Sequence, residues 1–198
     1  MAKPLIVVPF VPGMLEPQVK DVGEQVGADF VLMEGATSYW DMFERLWTGE
    51  PDFISIEQDT LGSAELIESM AACDGAWCSA TYGRWSWDNV IGGVAGIGVL
   101  GTDGSLGLMR FGAIRQQVPD AIERSLRITP ARAFDDLCGS LIRVLRDEEG
   151  ISVCLHFPPA RHLDRNGPRY PDPWTEDRYL AEVAARANLK ARRPTSRC

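Results

Sequence analysis

A chain of 198 residues, 45% hydrophobic and 24% charged, has the length and make-up of one soluble globular domain with a sizeable core. Its formal net charge of −8 argues against sequence-independent binding to duplex nucleic acid, which requires phosphate neutralisation, although a local basic patch stays compatible with a nucleic acid acceptor. No apolar run reaches membrane-spanning length and the start lacks a signal-peptide layout, so a cytoplasmic location with no membrane partner is expected.

The five cysteines (Cys73, Cys78, Cys138, Cys154, Cys198) have no zinc-ligand spacing, and their odd, scattered set suits reduced thiols. In chain order, 5–11 is a near-continuous apolar run, the pattern of a strand covered on both faces. Pro9 lacks an amide donor and should end regular pairing nearby. Val19, Val22 and Val26 recur at helical spacing before Gly27. Residues 28–34 read as a second strand ending in Glu34. Ser38 is a candidate cap for a helix carrying Trp40, Phe43 and Trp47 on one face. A third strand is expected over 52–59, and Ser63 caps a helix with Leu66, Ile67 and Met70 inward. Strand and helix alternate throughout, which predicts an α/β fold with a mostly parallel sheet flanked by helices.

Residues 76–80 read as a fourth strand. The stretch 82–107 is glycine-rich and holds Tyr82, Trp85 and Trp87, aromatics suited either to stacking on a sugar or base or to covering core. It also contains a GxGxxG match at 96–101. That match neither follows a first strand nor opens a helix, so it does not qualify as a dinucleotide fingerprint. A short strand lies within 106–111. A polar, partly helical segment at 115–126 is interrupted by Pro119, and a long helix spans 133–148. Residues 151–157 alternate, with Ser152, Cys154 and His156 on one side. A proline-rich linker and a C-terminal helix over 175–192 complete the chain. The domain proper is expected over 1–166, with 167–198 packed upon it.

The chemistry concentrates at the end of the third strand. Glu57 and Asp59 would project to one side, and two neighbouring carboxylates are relieved by a cation between them. Magnesium or manganese, Mg²⁺ or Mn²⁺, commonly bridges such oxygens to substrate phosphates. The two histidines, His156 and His162, flank a Pro-Pro turn, and either would complete the shell; His162, in a loop, has the better reach. Asp135 and Asp136 begin the long helix, as capping residues or as a general base.

These elements together resemble a small GT-A-type glycosyltransferase, the nucleotide-sugar-dependent fold with a Rossmann-type nucleotide-binding half. The segment 155–164 is similar to short glycosyltransferase-like proteins of actinobacterial bacteriophages. The resemblance implies that the first strand and its loop (Pro9, Phe10, Val11) hold the nucleotide and that Glu34 meets the base or ribose. Glu57-Gln58-Asp59 stands for the DxD motif. Residues 107–111, with Arg110, form the strand ahead of the acceptor site, and Trp85 faces substrate from the aromatic loop. Asp135 or Asp136 supplies the base, and His156 or His162 ligates the metal. The implied partners are a nucleotide-diphosphate sugar and a hydroxyl acceptor, with modified phage DNA or a surface glycan as candidate classes, in the host cytoplasm. Two other readings remain: a metal-free nucleoside deoxyribosyltransferase-like enzyme using Glu57 or Glu34, and a non-catalytic nucleotide-sugar-binding module.

Overall fold

A computed structural model describes residues 3–49, 51–80, 107–132, 136–156 and 160–163, with backbone alone at 136, 161 and 162. Eight strands and six α-helices occur among them. In chain order they are β1 (Leu5–Phe10), α1 (Pro17–Val26), β2 (Asp29–Leu32), α2 (Ser38–Thr48) and β3 (Phe53–Ile56). The two-residue β4 (Thr60–Leu61), α3 (Ala64–Ala71), β5 (Trp77–Ala80), β6 (Leu108–Phe111) and α4 (Ile114–Gln117) follow. Next come α5 (Ala121–Ile128), α6 (Asp136–Ile142), β7 (Cys154–His156) and β8 (Arg161–His162). α6 runs on into a π-helical segment, Arg143–Glu148.

Six strands form one sheet in the order β2-β1-β3-β6-β5-β7. β1 lies parallel to β2 and β3, and β5 parallel to β7. β6 is antiparallel to both its neighbours. The fold is therefore α/β with a mixed, mostly parallel sheet, as the alternation of elements predicted; the one reversed strand carried no warning in the sequence. β4 and β8 pair antiparallel as a separate small sheet, with Thr60 opposite His162.

Alternation along each strand divides the core. Val7, Phe53, Trp77, Met109 and Phe111 face α2, α5 and α6. Ile6, Val8, Ile54, Ile56 and Cys78 face α1 and α3. α2 lays its aromatic stripe on the first face: Phe43 is fully buried and meets Phe53 and Phe111 edge-on. The Trp47 indole donates to the Val118 carbonyl (3.0 Å), tying α2 to the α4–α5 turn. On the second face, α1 buries Val19 and Val26 and ends at Gly27, whose φ of 73° is the left-handed cap that glycine tolerates.

Boundaries moved where side chains competed for backbone groups. Ser38 is the first helical residue rather than the cap; Thr37 caps, and Ser38 Oγ accepts from Gly35 N–H (2.7 Å). Ser63 caps as expected, accepting from Leu66 N–H at 3.2 Å. The third strand stops at Ile56 instead of continuing to Asp59, so Glu57 and Asp59 sit on a turn and strand alternation does not govern them. Residues 81–106 and 164–198 lie outside the described residues. With them go Tyr82, Trp85, Trp87, the GxGxxG match and the C-terminal helix.

Candidate active site

The acidic turn forms at the carboxyl ends of parallel β1 and β3. That is the edge of an open α/β sheet where ligands characteristically bind. Glu57 N–H donates to the Gly107 carbonyl (2.7 Å), extending the ladder to β6 by one bond, and Thr60 N–H then closes the turn on the Glu57 carbonyl (2.9 Å). The middle residue does the anchoring. Gln58 Oε1 accepts from Val11 N–H (2.8 Å), and its carbonyl accepts from Glu16 N–H (3.0 Å). The turn is thus fastened to the loop after β1, where Gly13 has a φ of 70°. Pro9 is buried there; Phe10 and Val11 are half-buried.

From the far end of the chain, Leu163 N–H donates to the Asp59 carbonyl (2.6 Å), beside the Thr60–His162 pair. The backbone of His162 therefore runs alongside the residue that follows Asp59. The β1 loop, the acidic turn, the start of β6 and β8 converge on one edge, which brings together Pro9, Phe10, Val11, Glu57, Asp59 and the backbone of His162.

Two residues at Glu57 were not anticipated. The Cys138 thiol donates to Glu57 Oε1 (3.4 Å) from the first turn of α6. Tyr39, 1% exposed on α2, lies beside the same group. Burial pushes its phenol well above the ordinary value of 10.0, and the neighbouring Cys138 and Glu57 reinforce that shift. The hydroxyl stays protonated. Neither residue had a sequence signal of its own: Tyr39 reads as one more aromatic of the α2 stripe, and Cys138 as one more apolar position of α6.

The other candidates fall elsewhere. Glu34 is exposed just beyond β2, at the same edge of the sheet but two strands from Glu57. Asp136 opens α6, one half-turn before Cys138, with its side chain outside the described residues; Asp135 and Trp85 are outside altogether. Arg110 is not brought to this edge. It pairs with Ile54 in the register, and its guanidinium donates to Asp52 Oδ2 (2.9 Å) and the Gly75 carbonyl (2.7 Å), at the opposite end of β3 and β5. The reason is geometric: β6 is reversed, so its later residues lead away from the acidic turn.

His156 is also elsewhere. Glu57 lies on the α2 face, beside Tyr39 and Cys138, whereas His156 shares the α3 face with Cys154 and Cys78. Its neighbours are Ser69 and Cys154 instead of the acidic turn. Between the two histidines, only His162 has its backbone beside Asp59.

Carboxylate oxygens are the hard donors that Mg²⁺ or Mn²⁺ takes, and the chemistry of Glu57 and Asp59 fits such an ion. The Thr60 hydroxyl, next in the chain, is fully buried with no hydrogen-bond partner among the described residues. Comparisons with protein-family models, with curated proteins and with solved structures returned no match.

Proposed function

We propose that the protein is a metal-dependent glycosyltransferase that moves a sugar from a nucleotide-diphosphate sugar to a hydroxyl acceptor. The supporting observation is the convergence of an acidic turn, the loop after β1 and a histidine-bearing strand at the carboxyl edge of parallel strands. A divalent ion there would neutralise charge developing on the leaving diphosphate. Glu57, Asp59 and His162 are the residues that would hold it. The Gln58 clip fixes their turn against the β1 loop, where the half-buried Phe10 and Val11, backed by buried Pro9, offer an apolar wall to a nucleoside. Tyr39, kept protonated, holds a proton beside Glu57. Asp136, which opens α6, or its sequence neighbour Asp135 is the candidate base for the acceptor hydroxyl.

A thermal-shift screen of nucleotide sugars with and without Mn²⁺ tests this reading. A productive donor at a hundredfold excess over its dissociation constant adds about 2.7 kcal/mol. The expected result is stabilisation by one donor class only with the metal present, and loss of both stabilisation and donor hydrolysis in Asp59→Ala. Equal turnover in that variant removes the metal role.

One observation favours a second reading. Glu57 alone, beside a protonated tyrosine, is the setting of a single catalytic carboxylate in a nucleoside deoxyribosyltransferase-like reaction. Such an enzyme keeps its activity in a chelator and loses it in Glu57→Gln.

A further inference from the structure

Cysteines that show no metal spacing in the sequence are brought together by the fold, on the face of the sheet away from Glu57. Cys73 follows α3, Cys78 lies on β5, and Cys154 and His156 lie on β7. Each offers one ligand atom, and the four atoms lie within 4.8 Å of one another. Cys73 Sγ is 3.6 Å from Cys154 Sγ, and Cys154 Sγ is 3.7 Å from His156 Nε2. A tetrahedral ion with zinc–sulfur bonds of about 2.3 Å spaces its ligands by roughly 3.5–3.8 Å; these two separations fall in that range, and the rest of the set, within 4.8 Å, needs to close by at most about 1 Å.

The surroundings select ligand over bystander. The Ser69 hydroxyl spends its one proton on the Leu66 carbonyl (2.8 Å). Its oxygen, 3.1 Å from His156 Nδ1, is then left to accept, which assigns the ring proton to Nδ1. Nε2 keeps its lone pair, and it is Nε2 that faces the sulfurs. This is how a ligating histidine is commonly oriented from behind. Gly75 N–H donates to Cys73 Sγ (3.3 Å), which fixes the sulfur's position. Arg110 Nη1 stands 4.0 Å from Cys78 Sγ. Three thiolates around a divalent ion carry one net negative charge, and this guanidinium offsets it.

We propose that Cys73, Cys78, Cys154 and His156 form a closed, four-ligand site for a zinc-class ion, a structural clasp joining the end of α3 to β5 and the edge strand β7. It is separate from the hard-cation site at the acidic turn, because sulfur and imidazole select soft metals whereas carboxylates select hard ones. The site belongs to the reduced protein. Cys154 is in a disulfide-bonded form here, and Cys73 Sγ at 3.6 Å is too distant to be its bonded partner. A phosphine or dithiol reductant supplies two electrons, and the opened bond takes up two protons to give two thiols. The ion then displaces one proton from each of the three thiols and binds neutral Nε2 directly.

The test uses the full chain, reduced with excess phosphine under argon, stripped with chelator and titrated with Co²⁺ alone. One equivalent should give thiolate-to-cobalt charge transfer and the intense visible bands of tetrahedral cobalt, both erased by one equivalent of Zn²⁺. Ser69→Ala should weaken cobalt binding about tenfold, and His156→Ala by at least that factor. Asp59→Ala should leave the spectrum unchanged. Weak octahedral bands only, a full spectrum from the unreduced protein, or an unaltered spectrum in Cys78→Ser would each overturn the proposal. Where a cysteine variant fails to fold, alkylation mapped by mass spectrometry on the native chain decides. Stoichiometric Zn²⁺ should slow labelling of Cys73 and Cys154, and equal labelling with and without it refutes the site.

Discussion

Asp52 holds two arginines. Its carboxylate oxygens take Arg110 (2.9 Å) and Arg115 (3.1 Å), whose side chains are only 4% and 2% exposed. Arg115 also donates to the Leu46 carbonyl (2.8 Å), so the trio fixes the start of β3 against the end of α2. Removing the shared carboxylate leaves two buried cations without their counter-ion. Breaking a buried pair this way costs about 3–5 kcal/mol, and Asp52→Ala should lose stability of that order in urea unfolding. Asp59→Ala should leave the urea midpoint nearly unchanged while removing Mn²⁺-dependent stabilisation by the donor. The contrast separates the two ends of the sheet. At this scale the sequence was only partly informative. Glu57 and Asp59 were legible because carboxylates beside a buried-type strand are conspicuous. Arg110 misled because an arginine on a strand has the same letter whether it faces a phosphate or an aspartate. His156 misled because a period of two assigns it a side of its strand but not which layer of helices covers that side.

Among the elements, α3 gives the most direct energetic test. Ser63 accepts from Leu66 N–H, and the Glu65 carboxyl is held below its ordinary 4.5 by its own backbone N–H and by Ser63. A depressed carboxylate favours folding above its unfolded value, and that contribution fades as pH falls through the lowered folded value. Ser63→Ala should therefore cost about 1 kcal/mol near pH 7, and the gap to the parent should narrow in acid, read as urea midpoints at both pH values. The helices with a capping residue or a glycine stop were legible almost to the residue: α1 closes at Gly27, and α4 and α5 part around Pro119. The strand expected over 52–59 was overextended. Glu57-Gln58-Asp59 continues the letters of a strand end, yet Gln58 bonds the loop after β1 instead of a neighbouring strand. Such a side-chain bond across 47 residues leaves no local pattern.

The molecule as a whole is two cores divided by one sheet. Phe43 and Met70 are each fully buried, one on either side of it. Phe43→Ala should cost about 3–5 kcal/mol and Met70→Ala about 2–5. Because they share no layer, the double variant should equal the sum to within about 0.5 kcal/mol in urea unfolding. A larger discrepancy would mean that the sheet bends to couple the faces. The α/β class was legible because apolar runs and helical stripes alternate; strand order was not, since the reversal of β6 depends on which strands it sits between.

The pairing of Thr60 with His162 has a consequence for biogenesis. These partners leave the ribosome about a hundred residues apart, roughly 5–20 s at ordinary elongation rates. Throughout that interval the acidic turn waits on the nascent chain without the strand that will flank it. Assembly of this edge is therefore a late event in the life of each new polypeptide, completed only after translation has passed the second histidine.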